Sequence, residues 1–434
     1  MRQSRLTYPD SVRFLYALGN EIKTAKLGLE RIGVLLEALD HPERASRIVH
    51  VAGTNGKGST CAMIESALRA AGYRTGLFTS PHLMEPTERI QIGGRPVSAA
   101  DFAAAFDQVH ACAEDLLRAE RIDLHPTYFE CVTAMALLLF RQCRVEFAVL
   151  EVGLGGRLDA TNVVTPGLCV ITPIDFDHEA YLGKSLEAIA GEKAGILKHG
   201  VPAVFAGQRP EAARVLEERA RSLNVTVTRS AEINVENVSL DARGSDFIWN
   251  KIRMRCPLAG EHQLENARTA MAALVRLGIA PDDIRRGMAQ TVWPGRLERV
   301  SANPEIILDG AHNPAGARAL AAYLDRFYDP ARVWLIYGAM RDKAVAEMAG
   351  ILFPRARHVI VTAPAQARAA RPESIRELAD HDSIRTAGNL RAALALAAAA
   401  APGDAIFVTG SLFLVGEARA LLTSEVILPT APCS

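Results

Sequence analysis

The chain has 434 residues, and 49 Lys plus Arg balance 49 Asp plus Glu, giving a formal net charge of zero. Hydrophobic residues at 49% and charged residues at 23% are ordinary globular values, which excludes a disordered or fibrous chain and suits two large domains. The zero balance excludes bulk electrostatic attraction to nucleic acid or an anionic membrane, so neither is an expected partner.

Short apolar runs alternate with helix-length stretches over residues 48–206. Residues 48–51 read as a strand, 59–71 as a helix stopped by Gly72, and 74–79 as the next strand. A helical region containing 129–140 leads to strands at 147–152 and 169–172, a helix at 185–197 and a strand at 201–206. This βαβ series predicts a parallel sheet covered by helices on both faces. Between 232 and 258 the pattern changes to three short alternating runs, 235–240, 246–249 and 251–256, which predict a small antiparallel sheet. A helix at 264–277 precedes the break at Trp293, Pro294 and Gly295. A second βα series follows, with strands at 305–308, 333–337, 358–362 and 405–408. The domain boundary therefore falls near 294–300.

Residues 1–5 lead into Tyr8, Pro9 and Asp10 rather than into the apolar core of a secretory signal. The longest purely apolar stretch, 392–401, is ten residues of mostly Ala, half of what a spanning helix needs. The seven Cys form no CxxC pair and are expected to be reduced, mostly buried thiols. The expected location is cytoplasmic.

Residues 53–59, Gly53, Thr54, Asn55, Gly56, Lys57, Gly58 and Ser59, lie between the first strand and the first helix. Glycines let backbone N–H groups converge on a phosphate, the helix N-terminus adds its dipole, and Lys57 adds a point charge. The spacing is not the standard Walker A pattern, because Gly53 stands three residues before Gly56 and Gly58 precedes Ser59. Only eight of the 49 cations are Lys, which gives Lys57 added weight.

Ligands of open parallel sheets bind outside the carboxyl ends of the strands. Those ends deliver Ser80 and His82 after the second strand, and Glu151 followed by a flexible run to Arg157 and Asp159 after the third. The fourth leads into Asp175, Asp177 and His178. Mg²⁺ prefers oxygen ligands, so Ser80 and Glu151 are plausible; on this chemistry alone Asp175 or Asp177 would precede His178 as a third ligand.

At this point the residues resemble the folylpolyglutamate synthase and dihydrofolate synthase branch of the Mur-ligase superfamily. The resemblance covers nearly the whole chain. It rests on GTNGKGS (53–59), FTSPHL (78–83) with ERI (88–90), TYFE (127–130), EVGLGGRLDATN (151–162) and DHEAYLG (177–183). It continues through EKAGILK (192–198), HQLENA (262–267), GRLE (295–298), DGAHNP (309–314) and VTGSLFLVGEAR (408–419).

The resemblance implies an α/β fold of two domains. Residues 1–295 would form a P-loop ATPase domain with a mostly parallel sheet and a small antiparallel one. Residues 296–434 would form a smaller Rossmann-like ligase domain. It implies that the 53–59 loop holds the ATP phosphates, with Lys57 on the β/γ side, and that Asn266, Arg296 and Asp309 approach the adenosine. It implies two Mg²⁺ sites with Ser80, Glu151 and His178 as ligands, and Lys193 carbamylated to N6-carboxylysine as a further one. His312 would sit near the γ-phosphate, while His82, Thr127, Phe129, Arg157 and Asp159 would lie around the pterin, Phe129 as its stacking partner. The implied reaction joins L-glutamate to dihydropteroate and to reduced folates through an acyl phosphate, releasing ADP and phosphate. A monofunctional folylpolyglutamate synthase, or a related ligase acting on another carboxylate, stays open, and the expected state is a monomer.

Overall fold

Strand β1 (Arg47–Ala52) is buried at five of its six positions, four of them apolar and the fifth His50, as suits a strand covered on both faces. It lies at the centre of an eight-stranded sheet. The other strands are β2 (Thr75–Phe78), β3 (Ile90–Ile92), β4 (Arg95–Pro96), β5 (Phe147–Glu151), β6 (Leu168–Ile171), β7 (Ala203–Phe205) and β8 (Val227–Arg229). Their spatial order is β4-β3-β2-β5-β1-β6-β7-β8. Every pairing from β2 to β8 is parallel, and β3 and β4 add an antiparallel hairpin at one edge. The chain runs from β1 outward to β2 and back, then crosses β1 to reach β6, so a topological switch point lies beside β1. The computed structural model describes residues 7–18, 28–378 and 381–423.

Helices cover both faces. One core packs helices Ala99–Arg118 and Tyr128–Gln142 against the sheet through Phe102, Phe106, Val132 and Phe140. The other joins the phosphate-loop helix Lys57–Ala70 to helices Glu261–Arg276 and Pro281–Ala289 through Met63, Ala67, Met271 and Met288. The predicted antiparallel sheet is present as β9 (Glu236–Asp241), β10 (Gly244–Trp249) and β11 (Ile252–Cys256), and it buries Phe247, Trp249 and Met254 in that second core. Helix Tyr128–Gln142 starts at a capping box, Thr127 Oγ1 accepting from Glu130 N and Glu130 from Thr127 N, which satisfies two otherwise orphaned donors.

The second βα series forms a six-stranded sheet from β12 (Glu298–Ala302), β13 (Glu305–Leu308), β14 (Val333–Tyr337), β15 (His358–Val361), β16 (Ile384–Thr386) and β17 (Ala405–Thr409). Its order is β12-β13-β17-β14-β15-β16, parallel except for the β12–β13 hairpin. Five short strands at or next to sheet edges, β3, β4, β8, β12 and β16, depart from the sequence expectation, which had no strand there. They are exposed or partly exposed along most of their length and so lack an apolar run.

Cys61, Cys112, Cys169 and Cys256 are free thiols, whereas Cys143 departs from the expected reduced state and is disulfide-bonded. Cys433 lies outside the described residues. No helix of the described residues is long and apolar enough to cross a membrane.

Candidate active site

A cleft of about 660 Å³ opens at the carboxyl ends of β1, β5 and β6 and is closed on its far side by the loops after β13 and β17. Its floor is the 53–59 loop. Gly53 has φ of 149°, and a Cβ there would fall 1.9 Å from Thr172 Oγ1; Gly56, with φ of 83°, would collide with Asn266 Oδ1 at 2.2 Å. Only glycine lets this backbone turn so close to its neighbours before entering the helix at Lys57. Thr54 fastens the loop to the strand β6 end, its N–H donating to Pro173 O and its hydroxyl donating to Asp175 O.

The cleft brings together the whole 53–59 loop with Ser80, Glu151, His178, Lys193, Asn266, Arg296, Asp309 and His312. Glu151 is buried and accepts from Ser80 N–H at 3.1 Å. Burial pushes its carboxyl up, against the pull of Lys57 and Arg296. A buried carboxylate of this kind is stabilised by an added cation. Lys193, on helix Leu186–Ala194, is buried and donates to Gly53 O at 2.8 Å. Desolvation, assisted by repulsion from Lys57, lowers its pKa to about 7. His312 pairs Nδ1 with Gly310 O at 2.8 Å, and burial and Lys343 lower its pKa to about 4. The neutral ring donates through Nδ1 and presents Nε2 as an acceptor. Asp309 accepts from Leu297 N and Ala311 N, which ties the Arg296 segment to β13.

The remaining candidates do not line this cleft. His82 accepts at Nδ1 from Arg89 Nε at 2.8 Å and contacts Tyr16 Oη through Nε2 at 3.2 Å. Burial, then Arg89, lowers its pKa to about 3. Tyr16 stacks on Tyr128, and the Arg89 guanidinium lies over the same ring. Phe129 is buried, tilted against Phe78 and packed over Gly153. Thr127 serves the helix cap. Arg157 pairs with Glu192 at 2.9 Å on the surface. Asp159 is buried and accepts from Leu154 N, Thr161 N and Thr161 Oγ1, pinning the turn after β5.

Sequence reasoning missed the groups that join the two sheets. Lys343, six residues beyond β14, is 2.5 Å from Asp177 Oδ1, with both side chains about nine-tenths buried. Asn313 Nδ2 donates to Asp177 Oδ2 and to Asn55 Oδ1, each at 3.0 Å. Arg318 and Arg209 hold Asp175 at 3.3 and 3.5 Å. Burial alone would raise the Asp177 carboxyl, but Lys343, His178 and His312 outweigh it and hold it well below the usual carboxylate range. Both aspartates favoured as ligands on chemistry alone are thus already paired with cations. The rarity of Lys and its place beyond a strand end were the available signals for Lys343.

Two family models match the chain: residues 51–274 match the Mur ligase middle domain, and residues 295–412 match the Mur ligase glutamate ligase domain. A dihydrofolate synthase/folylpolyglutamate synthase of Bacillus subtilis is 40% identical over 337 residues, 74% of this chain and 78% of the relative. Its counterpart in Mycobacterium tuberculosis is 37% identical over 437 residues, 91% and 89% of the two chains. Among solved structures, Mycobacterium tuberculosis folylpolyglutamate synthase complexed with ADP superposes with a TM-score of 0.89 at 34% identity, covering 96% of this chain and 99% of that one. An Escherichia coli protein in complex with DHPP and ADP gives 0.85 at 31% identity, covering 98% and 100%.

Proposed function

Because this chain belongs to the Mur ligase family of ATP-dependent ligases, we propose that it joins L-glutamate to dihydropteroate and to reduced folates. The observation that carries this is the convergence of Lys57, Glu151, Lys193 and His312, from both sheets, on one phosphate-loop cleft. The relatives' names supply the substrate class. A carboxylate is a poor acyl donor, so it is first phosphorylated by ATP; the glutamate amine then attacks and phosphate leaves. Phosphoryl transfer asks mainly for positioning and charge neutralisation.

The 53–59 loop would bind the ATP phosphates through its N–H groups, with Lys57 on the terminal pair. Asn266, Arg296 and Asp309 would hold the adenosine. Ser80, Glu151 and His178 fit Mg²⁺, since Glu151 is a desolvated carboxylate facing phosphate-binding groups. Mg²⁺ when bound neutralises phosphate charge and orients the reacting oxygens. Lys193 suits a further ligand role as a carbamate, because its depressed pKa leaves a neutral amine able to take up CO₂ near pH 7. His82, Thr127, Phe129, Arg157 and Asp159 would surround the pterin beyond the cleft. His312 and the loop after β13 would exclude water from the acyl phosphate.

We place the boundary between domains 1–295 and 296–434, with 291–300 as the hinge, where Trp293 packs on Gly58. A monomer is the proposed state and the cytoplasm the proposed location. A coupled ADP-release assay offers dihydropteroate, tetrahydrofolate and a UDP-muramoyl peptide, each with and without L-glutamate. Turnover is expected with both pterins only when glutamate is present; turnover with the muramoyl peptide alone would overturn the reading.

A further inference from the structure

Away from the cleft, helix Ala99–Arg118 carries His110 and Glu114 four residues apart, and this spacing puts both on one helical face. His125, in the segment between that helix and Tyr128–Gln142, reaches the same point. One ligand atom from each of the three lies within 4.8 Å of the others. His110 Nδ1 is 3.4 Å from His125 Nε2, and Glu114 Oε1 is 4.0 Å from that same nitrogen. The nitrogen separation matches that of two imidazoles at about 2.0–2.1 Å from a tetrahedral ion.

The other nitrogen of His125 adds an independent sign. Nδ1 lies 2.8 Å from Pro126 O, so it must donate there, and Nε2 is left as the acceptor facing His110 and Glu114. Donation of the second ring N–H to a backbone carbonyl is how metal-ligating histidines are oriented. Phe14 and Phe106 wall the site, their rings 4.5 and 5.4 Å from His110, and Phe14 also packs on His125 at 5.5 Å. Glu114 and the nearby Asp107 supply negative potential at His110.

We propose that His110, Glu114 and His125 form a binding site for a divalent transition cation, Zn²⁺ above all, that ties helix Ala99–Arg118 to the segment entering Tyr128–Gln142. Two imidazoles and one carboxylate suit Zn²⁺ and leave a position for water, whereas Mg²⁺ prefers oxygen ligands. Through Phe14 the same site would anchor helix Tyr8–Ala17, which carries Tyr16 to His82. None of this depends on the ligase reading.

The test titrates the full, metal-stripped chain with Co²⁺ in excess Mg²⁺, then displaces it with Zn²⁺. One equivalent of Co²⁺ should bind with the intense visible absorption of a four- or five-coordinate ion, and should still bind in the His178→Ala background. His110→Ala and His125→Ala should each weaken binding by more than about 100-fold, beyond the loss typical of an outer-shell partner. Glu114→Gln, which conserves shape, should weaken it by about 10-fold with an unchanged circular dichroism spectrum. X-ray absorption on the Zn²⁺-loaded wild type should report two imidazoles, a reading independent of how the variants fold. Absent stoichiometric binding, or binding unaffected by all three substitutions, would mean that the two rings only hydrogen-bond to each other and would overturn the proposal.

Discussion

Lys193→Ala is expected to lower kcat by about 10³-fold or more, the scale on which charge-stabilising groups act in phosphoryl and acyl transfer. The side chain is buried, faces the cleft and meets Gly53 O, so its loss touches the phosphate loop and the proposed metal ligation together. Added acetate or bicarbonate should restore part of the activity of the alanine variant, because a small carboxylate can occupy the place of the carbamate. A lysine outside the cleft provides the control. Lys198 donates to Asn162 O at 3.2 Å, and Lys198→Ala should stay within about threefold of wild type, as a substitution away from the reacting groups. Steady-state kinetics with and without acetate decide the matter: full activity without rescue would remove the carbamate.

Lys343→Met should be nearly as damaging, and through a different route. Lys343 lies in the loop after β14 of the second sheet and Asp177 in the loop after β6 of the first, and their ion pair is buried. Removing one partner of a buried pair leaves an unpaired charge, at a cost of about 3–5 kcal/mol. Here the second sheet can swing away instead, so the cost should appear as weakened closure: ADP release reduced by about 10²-fold. Small-angle scattering in the presence of nucleotide should report a larger radius for the variant than for wild type. Adding Asp177→Asn removes the stranded charge but does not restore the tie, so it should recover neither the radius nor the activity. Wild-type turnover in Lys343→Met would show that this pair does not hold the cleft closed.

The central parallel strands were legible because both faces are buried, so that β14 reads as a continuous apolar run, β5 as one ending at Glu151, and β1 as one interrupted by His50. Edge strands such as β16, Ile-Arg-Thr, bury too little to leave that mark. The cleft was legible where chemistry is local in sequence, in the 53–59 loop, at Ser80 just beyond β2 and at Glu151, the last residue of β5. It was not legible where two distant segments meet. Lys343 and Asp177 are 166 residues apart, and nothing before the fold brings them together. Asp175 and Asp177 show the complementary error, since acidic residues beside a metal candidate look like ligands until their cations are in view. Residues 110, 114 and 125 illustrate the same limit, as their spacing becomes a cluster only when the helix and the following segment pack.

The proposed reaction begins with transfer of phosphate to the dihydropteroate carboxylate before glutamate attacks. Dihydropteroate carrying heavy oxygen in its carboxylate measures this directly, by mass analysis of the released phosphate. The expected result is one heavy oxygen per phosphate together with a glutamyl amide product, because the bridging oxygen of the acyl phosphate leaves with phosphorus. Phosphate released without label, at a turnover matching amide formation, would contradict it.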